Sequence, residues 1–135
     1  MKPETLRYAK THEWVALETA PDGSQLATVG LSDFAVKALT DLVFVDLPPV
    51  GRQVAADEPL GEIESVKAVS DIYSPVDGEV AAANSTLAQD LARMSEDPFG
   101  DGWLVKIRVT DPSGMASLMD YAAYQKQCAE EETRD

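Results

Sequence analysis

The stretch Glu64-Ser65-Val66-Lys67-Ala68-Val69-Ser70-Asp71 carries the decisive pattern of this chain. Lys67 divides two short runs, Gly61 to Val66 and Ala68 to Tyr73, in which Ile63, Val66, Val69 and Ile72 are β-branched. Branched side chains fit a pleated sheet better than a helix, so both runs are expected as strands. Ser74-Pro75-Val76-Asp77-Gly78 follows as a cluster of turn formers, and Gly78 is expected to close the turn that starts at Pro75. Lys67 should then lie at a strand reversal, its amine pushed outward on a rigid mount. Taken alone, an exposed lysine is ordinary solvated surface.

Upstream, His12-Glu13-Trp14-Val15-Ala16-Leu17 reads as a first strand, and Pro21-Asp22-Gly23-Ser24 as the turn into a second strand, Gln25 to Leu31. Ser32 is placed to cap a short helix over Asp33 to Leu39, with Phe34, Leu39 and Ala35 or Ala38 facing inward. Leu42 to Leu47 reads as a buried strand ended by Pro48-Pro49. Downstream, Glu79 to Ala83 should be a strand. Asn84 or Ser85 opens a short helix, with Thr86-Leu87-Ala88-Gln89 spaced as a capping box. Trp103, Val105, Ile107 and Val109 alternate with Lys106 and Arg108, the period of a half-buried strand. Asp111-Pro112 should start a final helix over about 112–130, striped by Met115, Leu118, Met119 and Ala122, with Glu130-Glu131-Glu132 as a solvated, frayed end.

A chain of 135 residues with 44% hydrophobic content is expected to make a single domain, 1–135, with its core over about 8–110. No run approaches the ~18 apolar residues of a membrane span, and Met1-Lys2-Pro3-Glu4 has no apolar signal core, so a cytoplasmic protein is expected. Cys128 is the only cysteine and sits among acidic residues that hold a thiol protonated. His12 is the only histidine, which leaves metal clusters and histidine-based nucleophilic catalysis almost nothing to work with. A net charge of −13 argues against nucleic acid as a ligand and is compatible with docking onto basic partner proteins.

The segment Gly61 to Val80 resembles, nearly residue for residue, the lipoyl-attachment segment of the H-protein family of the glycine cleavage system. The match runs through Glu64 to Asp71 and Ser74 to Val80. His12-Glu13-Trp14-Val15 is similar to a second family signature, and the stretch from Gly30 to Pro48 to a third. Thr40 departs from the pattern, where the family commonly has glycine and a different local backbone is expected. Phe34 stands where some members have histidine. The resemblance spans about Tyr8 to Tyr121. It implies a mainly β, barrel-sandwich hybrid of lipoyl/biotinyl-carrier type, with short helices and a C-terminal helix.

It also implies a function. Lipoate would be attached covalently to Lys67, the protein serving as a non-catalytic carrier subunit and monomer. It would shuttle the aminomethyl group of glycine from the pyridoxal-phosphate decarboxylase (glycine decarboxylase) to the tetrahydrofolate-dependent aminomethyltransferase. Dihydrolipoyl dehydrogenase and a lipoylating enzyme complete the implied partners. Glu13, Asp71 and Thr11 are candidates to hold the carried ammonium by charge-assisted hydrogen bonds, and Glu62 and Glu64 to guide the lipoylating enzyme. The alternatives are an H-like lipoyl relay or sulfur-metabolism carrier, and an unmodified interaction module. Val66-Lys67-Ala68 is unlike the Asp-Lys-Ala of 2-oxoacid dehydrogenase lipoyl domains and the Met-Lys-Met of biotin carriers.

Overall fold

Two antiparallel sheets face each other across the core, the barrel-sandwich arrangement that the resemblance implies. The computed structural model describes residues 2–132; residues 1 and 133–135 of the expected domain lie outside them. The strands are β1 (Arg7–Tyr8), β2 (Glu13–Thr19), β3 (Gln25–Leu31), β4 (Leu42–Asp46), β5 (Gln53–Val54), β6 (Pro59–Ser65), β7 (Val69–Tyr73), β8 (Asp77–Ala83) and β9 (Val105–Asp111). The helices are α1 (Asp33–Leu39), α2 (Ala92–Glu96) and α3 (Tyr121–Glu132), joined by 3-10 segments at Pro3–Thr5, Ser85–Ala88 and Pro112–Ser117. One sheet has the order β1-β2-β3-β9-β8-β5 and the other β4-β6-β7. Val15, Val29, Ile63, Ile72, Val80 and Ile107 meet between them, each almost wholly buried. Among the described residues no helix is long and apolar enough to cross a membrane.

Where local chemistry is strong, expected elements form with the expected bounds. β3 runs from Gln25 to Leu31, after a turn in which Gly23 has φ of 89°. α1 covers Asp33–Leu39, and the Ser32 hydroxyl accepts from the Ala35 amide at 3.2 Å. Its buried residue is Val36, however, with Phe34, Ala35 and Leu39 only half-covered. β4 is not a buried strand. It is an edge, with Val45 inside and Val43 and Phe44 half-exposed, because only β6 pairs with it.

Further along the chain, tertiary pairing overrides local signals. Gly78 does not close a turn. It lies inside β8, where an added Cβ would come within 2.2 Å of the Arg108 carbonyl oxygen, so only glycine lets β8 and β9 approach this closely. Thr86-Gln89 does not form a capping box; the Thr86 hydroxyl donates instead to Asn84. Trp103 precedes β9 and stacks under the Lys106 ammonium, while Leu104 takes the buried position. The helix expected over 112–130 is broken. Met119 and Tyr8 exchange backbone hydrogen bonds of 2.7 and 2.8 Å, which hold Met119 extended, and α3 starts only afterwards. Asp120 caps it by accepting from the Ala123 amide at 2.9 Å, a cap signal the sequence carries. α3 then continues through Glu132, so Glu130-Glu132 are helical rather than frayed.

Thr40 ends α1 with φ of 66° and ψ of −127°, a conformation that glycine adopts freely and a β-branched residue only under strain. Thr40→Gly should therefore raise stability by about 1 kcal/mol, seen as a higher urea midpoint with an unchanged slope.

Candidate functional site

Lys67 lies at the tip of the β6–β7 hairpin, in a two-residue turn between Ser65 and Ala68, and is exposed. Two-residue hairpins usually use turns with positive φ, often at glycine or asparagine. Val66 and Lys67 both keep negative φ, so this turn needs another stabiliser. Ser65 supplies it. Its amide donates to the Ala68 carbonyl at 2.8 Å, and its buried hydroxyl accepts from the Lys67 and Ala68 amides at 3.3 and 3.1 Å. The Val66 amide donates to the Asp41 carbonyl at 3.0 Å, tying the tip to the start of β4. The sequence held a signal for Ser65, since a serine beside a reversal commonly bonds nearby backbone amides.

A groove of about 250 Å³ opens beside Lys67. Ala68, Ser70, Asp71 and Ile72 form its β7 side, and Phe34, Ala35, Ala38 and Leu39 of α1 form the other. Thr11 and His12 close one end, with Glu131 from α3 on the rim. Thr11, from the loop between β1 and β2, is thus brought to the groove that Lys67 and Asp71 of the β6–β7 hairpin line. Glu64 is not among the groove residues: it pairs with Val69 across the hairpin and with Phe44 of β4. Asp46, Glu62 and Asp71 stand directly opposite one another on β4, β6 and β7 and make that sheet acidic near the lysine. Like charges so paired oppose folding rather than aid it.

Glu13 is wholly buried and does not itself line the groove. The Thr11 hydroxyl donates to its Oε1, and the Tyr73 amide donates to Oε2 at 3.1 Å. The carboxyl therefore joins β2 of the larger sheet to the end of β7 in the smaller one. Burial pushes its pKa up from 4.5 to about 7, against the lowering effect of the Thr11 and Tyr73 hydrogen bonds. Sequence gave no cue to this, because Tyr73 lies 60 residues away and acts through its backbone.

His12 has a φ of 81°. Its Nδ1 is 2.7 Å from the Tyr124 hydroxyl and its Nε2 3.1 Å from Glu131 Oε1. Its ring stacks on Phe34 at 5.3 Å. The Cys128 thiol is buried in the cluster with Tyr124, Tyr8 and Trp14, and burial raises its pKa.

Similarity to known proteins covers nearly the whole chain. A model of the glycine cleavage H-protein family matches residues 6–131. The glycine cleavage system H protein of Rhodopirellula baltica is 51% identical over 128 residues, 95% of this chain and 96% of that one. That of Rubrobacter xylanophilus is 48% identical over 120 residues, 89% and 91% of the two chains. The crystal structure of the H protein from Mycobacterium marinum superposes with a TM-score of 0.81 at 34% identity, covering 96% of this chain and 99% of that one.

The raised Glu13 pKa has a consequence for stability. Between 4.5 and about 7 the folded chain holds a proton that the unfolded chain has released, so stability falls as pH rises through that window. From about pH 5 to about pH 8, the wild type should lose up to about 3 kcal/mol more than Glu13→Gln, measured by urea unfolding at each pH. Glutamine removes the charge while its carbonyl oxygen still accepts from the Tyr73 amide and its Nε2 donates to the Thr11 oxygen.

Proposed function

This chain belongs to the glycine cleavage H-protein family, and we propose that Lys67 is the residue on which it carries lipoate. What supports the assignment is an exposed primary amine on a turn stiffened by Ser65, with a groove of mainly apolar lining beginning beside it. Acylation of Nζ removes the lysine charge and leaves an apolar extension that suits Ile63, Ile72, Phe34 and Leu39. When bound, the lipoyl group supplies the sulfur pair that takes up and gives up the aminomethyl group.

The chain's own residues grip the charged end of that cargo. Asp71 offers the groove a carboxylate. Thr11 offers an oxygen, because its proton is committed to Glu13 and its lone pairs are left free to accept from an ammonium. Glu13 acts behind Thr11 rather than touching the cargo, in place of the direct contact expected of it from the sequence. The apolar α1 wall keeps water from the carried group.

We read the chain as a carrier subunit in one domain, acting in the cytoplasm. Glycine decarboxylase, the aminomethyltransferase, dihydrolipoyl dehydrogenase and a lipoylating enzyme are its partners. The acidic row Asp46, Glu62 and Asp71, with Glu64 beside it, suits partners that present basic surfaces around their active-site entrances.

Intact-mass and peptide mass spectrometry of natively produced protein should find one lipoyl group, on Lys67, and none in Lys67→Arg. Unmodified Lys67 in cells that lipoylate other proteins would sink the assignment. In the loaded chain, Asp71→Asn and Thr11→Val should each speed spontaneous loss of the aminomethyl cargo, by roughly threefold to tenfold, as expected for one hydrogen bond to a charged group. Ammonia release in the absence of the transferase measures this loss.

A further inference from the structure

His12 ends the β1–β2 loop in a left-handed backbone conformation: its amide donates to the Ala9 carbonyl at 2.9 Å and the Ala9 amide donates to the Glu13 carbonyl at 2.9 Å. That turn sets its ring where three elements meet. The Glu131 carboxylate only accepts, so His12 Nε2–H donates to it across 3.1 Å. Nδ1 lies 2.7 Å from the Tyr124 hydroxyl, which in turn lies 2.5 Å from the Ser32 hydroxyl. The Ser32 oxygen accepts from the Ala35 amide at the start of α1. These contacts form one continuous hydrogen-bonded chain from α1 through Tyr124 and His12 to Glu131.

The connections are two-sided. Tyr124 and Glu131 are seven residues apart, two turns of α3, so His12 holds that helix at two points along one face. Phe34 of α1 stacks on the same ring, and Ser32 at the α1 cap bonds to the Tyr124 hydroxyl. The rest of α3 is held on the other side, by Tyr121 and Tyr124 against Tyr8, by the buried Cys128 and by Gln127 donating to the Lys10 carbonyl at 2.8 Å, none of which reaches α1. Both α1 and Glu131 border the groove beside Lys67.

We propose that His12 is a positioning residue that latches α3 to α1, setting α1 and the Glu131 rim of the seat for the Lys67 arm. This rests on the carrier reading above. It assigns α3 a part in shielding the cargo, distinct from the Asp71 and Thr11 contacts.

Tyr124→Phe tests the latch most cleanly, because it removes one hydroxyl and keeps the ring that stacks on Tyr8 at 4.3 Å. In the unmodified chain, amides of residues 35–39 should exchange faster with solvent, while β6 and β7 exchange as before. In the loaded chain, spontaneous loss of the aminomethyl cargo should speed up by roughly threefold to tenfold, the effect of one or two hydrogen bonds, with lipoylation of Lys67 unchanged. The double variant His12→Ala with Tyr124→Phe should lose cargo no faster than His12→Ala alone. Unchanged exchange in α1 overturns the latch, and this arm needs no lipoate. Faster exchange with unchanged cargo lifetime, or additive effects in the double variant, overturns the role in the seat. Failure of the wild type to accept lipoate would overturn the carrier reading instead, and with it the seat.

Discussion

A buried carboxylate joins the two sheets, and the working face of the molecule is built around it. Glu13 leaves water at the start of β2, where an unpartnered charge would be costly, and two donors from other segments meet it. The Tyr73 amide closes the gap between β2 and the end of β7. Thr11 completes the arrangement and is fixed by it, its proton turned inward and its oxygen turned to the groove. Burial and hydrogen bonding pull the proton affinity of Glu13 in opposite directions, and burial wins. One side chain thus sets both the relation of the sheets and the polarity of the groove floor.

Above that floor, stiffness and freedom are separated. The β6–β7 tip is held by its own backbone, by the Ser65 hydroxyl and by Asp41, so the Cα of Lys67 has little latitude. The lysine side chain has no ion-pair partner among the described residues and projects from that fixed base. A carrier needs this division, since a moving base would spend binding energy on ordering it at each encounter. The cross-strand row of carboxylates has the opposite character. It disfavours the folded sheet, and its value lies in the field it presents to approaching basic surfaces.

The C-terminal helix gains its significance from the same economy of contacts. It packs Tyr121, Tyr124 and Cys128 onto the cluster of Tyr8 and Trp14. The hydrogen bonds through Tyr124, His12 and Ser32 add a connection to α1 that this packing does not make. Their location beside Phe34 makes that orientation matter to the groove.

Elements governed by neighbours in sequence were legible from the sequence itself. The bounds of β3 and α1, the Ser32 cap, the turn at Gly23 and the outward Lys67 all follow from alternation, capping and turn chemistry acting within a few residues. The resemblance carried by Glu64 to Asp71 added the family. Tertiary structure decided the rest. Glu13 is buried by a strand 60 residues away, Met119 is drawn out of a helix by Tyr8, and Gly78 is demanded by Arg108 rather than by a turn. His12 and Thr40 take positive φ where a hairpin loop and a helix end require it, without the glycine or asparagine that usually marks such positions. Short-range patterns encode which backbone shape is cheapest. They do not encode which distant donor will be facing a carboxylate once the sheets close, because that energy exists only after the chain has come together.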